Sequence, residues 1–115
     1  METEILTEEQ YKILSKKLLN TIERQYRILP LNTLKHPNYF LKKPLYITIE
    51  IEKDTVIASL DDIEAFAYAD TEFEAVNCLC GEIVDIYEDL KNDKENLGIL
   101  PRKWLAFLEE TIESR

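Results

Sequence analysis

The sequence predicts an α+β fold: a three-stranded antiparallel sheet with a helix packed on it, in the order β-β-β-α, plus an N-terminal and a C-terminal helix. Three observations carry this expectation. Apolar residues recur at helical spacing up to residue 29 and again from residue 75, whereas residues 45–52 alternate with a period of two. The strand-like segments are joined by short polar connections, and parallel pairing would need a crossover of a dozen residues or more. With 115 residues, 45% of them hydrophobic, the chain is large enough for one domain around one core.

The elements follow in order. Thr7-Glu8-Glu9-Gln10 fits a capping box, in which the Thr hydroxyl and the Gln amide satisfy orphan backbone N–H groups. Tyr11, Leu14, Leu18, Ile22, Tyr26 and Leu29 continue as one stripe, and Pro30 stops the helix. Residues 31–44 contain two prolines and no clear period, so they read as a connecting arm. Leu45, Ile47, Ile49 and Ile51 alternate with Tyr46, Thr48, Glu50 and Glu52, the pattern of a half-buried strand. Lys53-Asp54 reads as a two-residue hairpin loop, Thr55–Leu60 as the returning strand, and Glu64–Ala69 as a third strand after a bend at Asp61-Asp62. Thr71-Glu72-Phe73-Glu74 is a second capping box, opening a helix whose Ala75, Val76, Leu79, Ile83, Ile86, Tyr87 and Leu90 share one face. Leu97-Gly98 ends that helix region, and Pro101 starts a last one that would bury Trp104, Leu105, Leu108 and Ile112. The chain is expected to be one domain: an N-terminal helix and arm over 1–43, a core over 44–92 and a C-terminal helix over 93–115.

Charge is unevenly spread. The formal net charge is −9, which disfavours nucleic acid as a direct ligand because phosphates attract basic surfaces. Residues 12–43 carry eight cations against Glu23 alone, and residues 44–93 carry fourteen acids against Lys53 and Lys91. No apolar run approaches the roughly 20 residues a membrane helix needs. The acidic start METEILTEEQ has no secretory signal, and two cysteines are too few for a disulfide framework, so a reducing cytoplasm is the expected location.

No catalytic set emerges. His36 is the only histidine, and it lies about 40 residues in sequence from Cys78 and Cys80. Cys78-Leu79-Cys80 lacks C-x-x-C spacing, and at about 100° per residue the two thiols point away from each other, Cys80 flanking the apolar stripe. There is no glycine-rich phosphate loop, no dense carboxylate loop for calcium and no sign of a cofactor site. The distinctive feature is acidic: Glu74, Glu82, Asp85, Glu88 and Asp89 share the outer side of the second long helix, and Asp61, Asp62 and Glu64 add charge at the bend. Such a surface is a candidate landing site for a cationic partner.

Residues 45–90 resemble the HicB family of antitoxins. The resemblance rests on LYITIEIE, on Val56-Ile57-Ala58-Ser59-Leu60-Asp61-Asp62-Ile63-Glu64, on Tyr68-Ala69-Asp70-Thr71 and on Glu74-Ala75. Family members show a strand pair, a V-P-D-L-P-G-like turn, a third strand and G-D-T-x-x-E-A opening the helix. Here the turn reads LDDIEA, Ala69 stands in place of glycine, and no DNA-binding module is recognisable after Pro101. The resemblance implies a non-catalytic protein that neutralises a small basic ribonuclease toxin, Asp61, Asp62, Glu64, Glu74, Glu82, Asp85, Glu88 and Asp89 being the candidate contacts. The alternative is an acidic inhibitor that imitates nucleic acid in the groove of a nuclease or regulator. A homodimer is also expected, with Ile13, Ile28, Leu31 and Leu34 buried across its interface.

Overall fold

Leu45, Ile47 and Ile49 are buried while Tyr46 points to the other side, and this alternation makes residues 45–52 the strand around which the rest of the sheet assembles. The computed structural model describes residues 25–115. In chain order they form β1 (Gln25–Leu31), β2 (Tyr39–Leu41), β3 (Leu45–Glu52), β4 (Thr55–Leu60), β5 (Ala65–Ala69), α1 (Glu72–Asn92), α2 (Ile99–Thr111) and β6 (Ile112–Ser114). β1, β3, β4 and β5 make a four-stranded sheet in that order, each neighbouring pair antiparallel, and β2 and β6 pair antiparallel as a second, two-stranded sheet. The α+β class and the β-β-β-α order over residues 45–92 are as the sequence predicts, but the main sheet has four strands.

The extra strand is a correction. The helical stripe was expected to run through Tyr26 and Leu29 to Pro30, whereas residues 25–31 pair with β3, Gln25 opposite Ile51 and Leu31 opposite Leu45. Leu31 is buried and Leu29 half-buried on one side, with Tyr26 and Ile28 exposed on the other. Pro30 is accommodated because β1 is an edge strand, where a missing N–H costs no ladder bond. The N-terminal helix expected before residue 25, and Ile13 with it, lie outside the described residues.

Elsewhere the boundaries shift by a few residues. Asp61–Ile63 forms a single 3-10 turn closed by the Glu64 N–H on the Asp61 carbonyl (3.2 Å), so β5 starts at Ala65. Glu64 and Lys53 both take positive φ, 56° and 54°, in turns without glycine. Gly98 caps α2, which starts two residues before Pro101. The arm over 31–44 holds β2, clamped to the chain end by Lys42 N–H on the Thr111 carbonyl (2.8 Å) and Arg115 N–H on the Asn38 carbonyl (2.9 Å). Ile112 is buried as expected, but from β6 and not from the helix.

The core lies between the sheet and its helices. Leu45, Ile47, Ile49, Ala58 and Leu60 on the sheet meet Leu79 and Ile83 of α1 and Leu108 of α2, all at most 1% exposed. Burying each large aliphatic side chain contributes about 1.5–3 kcal/mol. Ala65, Ala67 and Ala69 face inward along β5, and their small side chains let α1 lie close over β5 and β4. Only one face of the main sheet is covered by α1 and α2. The other presents Tyr26, Ile28, Tyr46, Phe66 and Tyr68, each more than half exposed.

Candidate functional site

α1 is held at its start by the second capping box. The Thr71 Oγ1 accepts the Glu74 backbone N–H (3.2 Å) and donates to the Glu74 carboxylate (2.9 Å), while Arg27 from β1 pairs with Glu72. Ala75, Val76, Leu79, Cys80, Ile83, Val84, Tyr87 and Leu90 are buried, one helical stripe as the spacing predicts, with Ile86 half-buried beside it. The opposite side carries Glu74, Cys78, Gly81, Glu82, Asp85, Glu88 and Asp89, all exposed. The structure therefore brings five of the eight predicted acidic residues onto one face. Asp61, Asp62 and Glu64 are exposed too, but on a separate element, at the turn that packs against α2.

The five carboxylates are not equivalent. Glu74 is engaged in the cap, and Glu88 Oε2 accepts the Tyr39 hydroxyl of β2 at 2.8 Å. That hydrogen bond, with some burial and the nearby Glu88 charge, raises the Tyr39 pKa above its ordinary value. Tyr39 also meets Tyr87 edge-on, ring centroids 5.6 Å apart, and Lys91 lies over Tyr87 at 4.7 Å. By contrast, no ion pair or hydrogen bond among the described residues engages the side chains of Glu82, Asp85 or Asp89. At 100° and 1.5 Å per residue these three fall within about 60° of the helix circumference and along about 10 Å of its axis. Such a row repels itself by a few tenths of a kcal/mol per pair, a cost that a cationic surface laid along it would reverse.

A second feature was missed in the sequence. Lys35, His36, Phe73, Asn77 and Cys80 line a cleft of about 360 Å³ between the arm and α1. Sequence separation had set His36 apart from the cysteines, yet the arm folds back over the helix so that His36 and Cys80 line the same cleft. The groups are nevertheless committed to structure. His36 Nδ1 accepts the Asn38 N–H (3.0 Å), Lys35 Nζ donates to Asn77 Oδ1 (2.6 Å) and lies over the Phe73 ring, and Cys80 Sγ contacts the Thr33 carbonyl at 3.8 Å. Burial pushes the Cys80 thiol up, Lys35 opposing it, which is the reverse of what activates a nucleophile. Cys78 is exposed on the acidic face, so the two thiols diverge as expected. Among the described residues no group of three or more His, Cys, Asp or Glu side chains is arranged to hold a metal ion.

Ile13 lies outside the described residues, and the other three residues expected to mediate self-association do not share a surface. Leu31 and Leu34 are 5% and 2% exposed, inside the chain's own core, whereas Ile28 is open. A sequence pattern shows that such residues are apolar, not whether their own sheet or a partner covers them. No described helix is long and apolar enough to cross a membrane. No protein-family model matches the chain, nor does any curated protein or solved structure.

Proposed function

We propose that this chain is a non-catalytic, HicB-like antitoxin or antitoxin-like protein that binds and neutralises a small basic protein partner of the ribonuclease-toxin class. The observation that carries the reading is the row Glu82, Asp85 and Asp89: exposed, on a rigid 21-residue helix, and engaged by no cation among the described residues. Glu74 lies two turns before the row and Glu88 beside it, and Asp61, Asp62 and Glu64 add negative charge at the turn that packs against α2. The HicB resemblance over residues 45–90 supplies the class of partner. An imitation of nucleic acid fits less well, because one carboxylate per roughly 5 Å is sparser than the duplex charge of one per about 1.7 Å.

The test is co-expression with the small basic product of an adjoining reading frame. The full chain should form a complex with it and suppress its ribonuclease activity, and Asp85→Lys with Asp89→Lys should weaken both. Absence of a complex, or inhibition untouched by charge reversal, would overturn the reading.

A further inference from the structure

The cleft between the arm and α1 stands apart from the acidic character of the chain. The sequence carries 23 Asp and Glu against 14 Lys and Arg, yet no Asp or Glu among the described residues lines this cleft. Its polar lining is Lys35, His36 and Asn77. On the helix side Phe73, Asn77 and Gly81 follow at four-residue steps, a line of α1 between its buried stripe and its acidic side.

The contacts these groups make leave donors free. Lys35 Nζ gives one N–H to Asn77 Oδ1 (2.6 Å), and an ammonium has two more. Asn77 has its oxygen occupied by that bond and its amide N–H groups free of any hydrogen bond among the described residues. His36 Nδ1 accepts the Asn38 N–H (3.0 Å), so the neutral ring carries its proton on Nε2, a further donor. Beneath them the lining is apolar: Leu34, Cys80 and Val84 are at most 4% exposed, and Phe73 stands exposed at the rim with Lys35 Nζ 4.7 Å from its ring centroid. Lys35 reaches this position at a φ of 55°, a conformation uncommon outside glycine, with its N–H on Thr33 Oγ1 (3.0 Å).

We propose that this cleft binds a small organic carboxylate. Its oxygens accept N–H groups of Lys35, Asn77 and His36, and its apolar body lies on Leu34, Val84 and Phe73. The volume, about 360 Å³, falls within the range of about 300–1,000 Å³ of small-molecule pockets. A cation would meet the Lys35 ammonium with no carboxylate to receive it, and an inorganic anion would leave the apolar floor uncovered. This site is separate from the row Glu82, Asp85 and Asp89, none of which lines it.

Amide NMR of the isotope-labelled full chain tests the inference, by titration at fixed pH with benzoate and with hexanoate to about 10 mM. Benzamide and inorganic phosphate serve as controls. Both carboxylates should shift the amides of Lys35, Asn77 and Gly81 saturably, and the two controls should bind about tenfold more weakly or less, the scale of a lost charge-assisted hydrogen bond or apolar contact. Lys35→Gln should weaken carboxylate binding by about tenfold, while Lys94→Gln, which removes a cation outside the cleft, should leave it unchanged. Gly81→Leu, at a position where a Cβ meets nothing within 4 Å, should obstruct the cleft and keep the wild-type amide spectrum elsewhere. No saturable shift at the three amides would overturn the inference. So would equal affinity for benzoate and benzamide, equal affinity for phosphate and the carboxylates, or undiminished binding in Lys35→Gln or in a folded Gly81→Leu.

Discussion

Gly81 sits in the middle of α1, on the acidic side, and a Cβ built there meets nothing within 4 Å. Neither a turn nor a close approach requires glycine at this position, so it weakens the helix through backbone entropy alone. Gly81→Ala should therefore stabilise the protein by about 0.5–1 kcal/mol in denaturant unfolding, and a loss of stability would mean that something packs on that spot. The Tyr39–Glu88 hydrogen bond has a signature in pH. Its donor is the neutral phenol, so the folded pKa lies above the unfolded value near 10. The contribution of the bond is complete below that unfolded value and is lost as pH rises through the folded one. In a difference titration against Tyr39→Phe, the Tyr39 midpoint should lie above the ordinary tyrosine range, and Glu88→Gln should bring it down. Unchanged titration in Glu88→Gln would remove Glu88 as the cause.

Among the elements, α1 depends most visibly on its first turn. Thr71→Ala removes both the acceptor for the Glu74 N–H and the donor to its carboxylate, and should cost about 1 kcal/mol by thermal or urea unfolding. A cost near zero would show that Asp70 or solvent replaces the cap. This helix was legible in the sequence because its information is local: a cap, a 3.6-residue period and two ends. β3 was legible from its strict alternation, and β4 and β5 from the short connections that return the chain. β1 was not. Ile22, Tyr26 and Leu29 fit a helical stripe while Leu29 and Leu31 fit an alternating one, and what decides between them is the ladder to β3, a long-range fact. β2 and β6 are three-residue strands whose pairing joins residue 39 to residue 114, and nothing local encodes it.

For the whole molecule, the site was legible in chemistry and only partly in placement. The acidic side of α1 follows from helical geometry, so five carboxylates were correctly placed on one face. The remaining three depend on how the 3-10 turn packs against α2, and which of the eight are engaged depends on Thr71 and on Tyr39, an arm residue that sequence spacing does not connect to Glu88. The same folding of the arm over α1 builds the His36–Cys80 cleft and buries Leu34. Along the sequence, acids concentrate in residues 44–93 and cations in residues 12–43. The central claim, that the outer face of α1 captures a basic protein, is tested most directly by association kinetics with a small basic ribonuclease toxin of the kind that HicB antitoxins bind. Stopped-flow rates for wild type and for Asp85→Lys with Asp89→Lys would be compared at about 10 mM and about 150 mM salt, where the screening length falls from roughly 30 Å to 8 Å. The account predicts fast wild-type association that slows steeply with salt, and a variant whose on-rate at low salt is about tenfold lower or less and nearly salt-independent. Equal on-rates and equal salt dependence for the two proteins would contradict it.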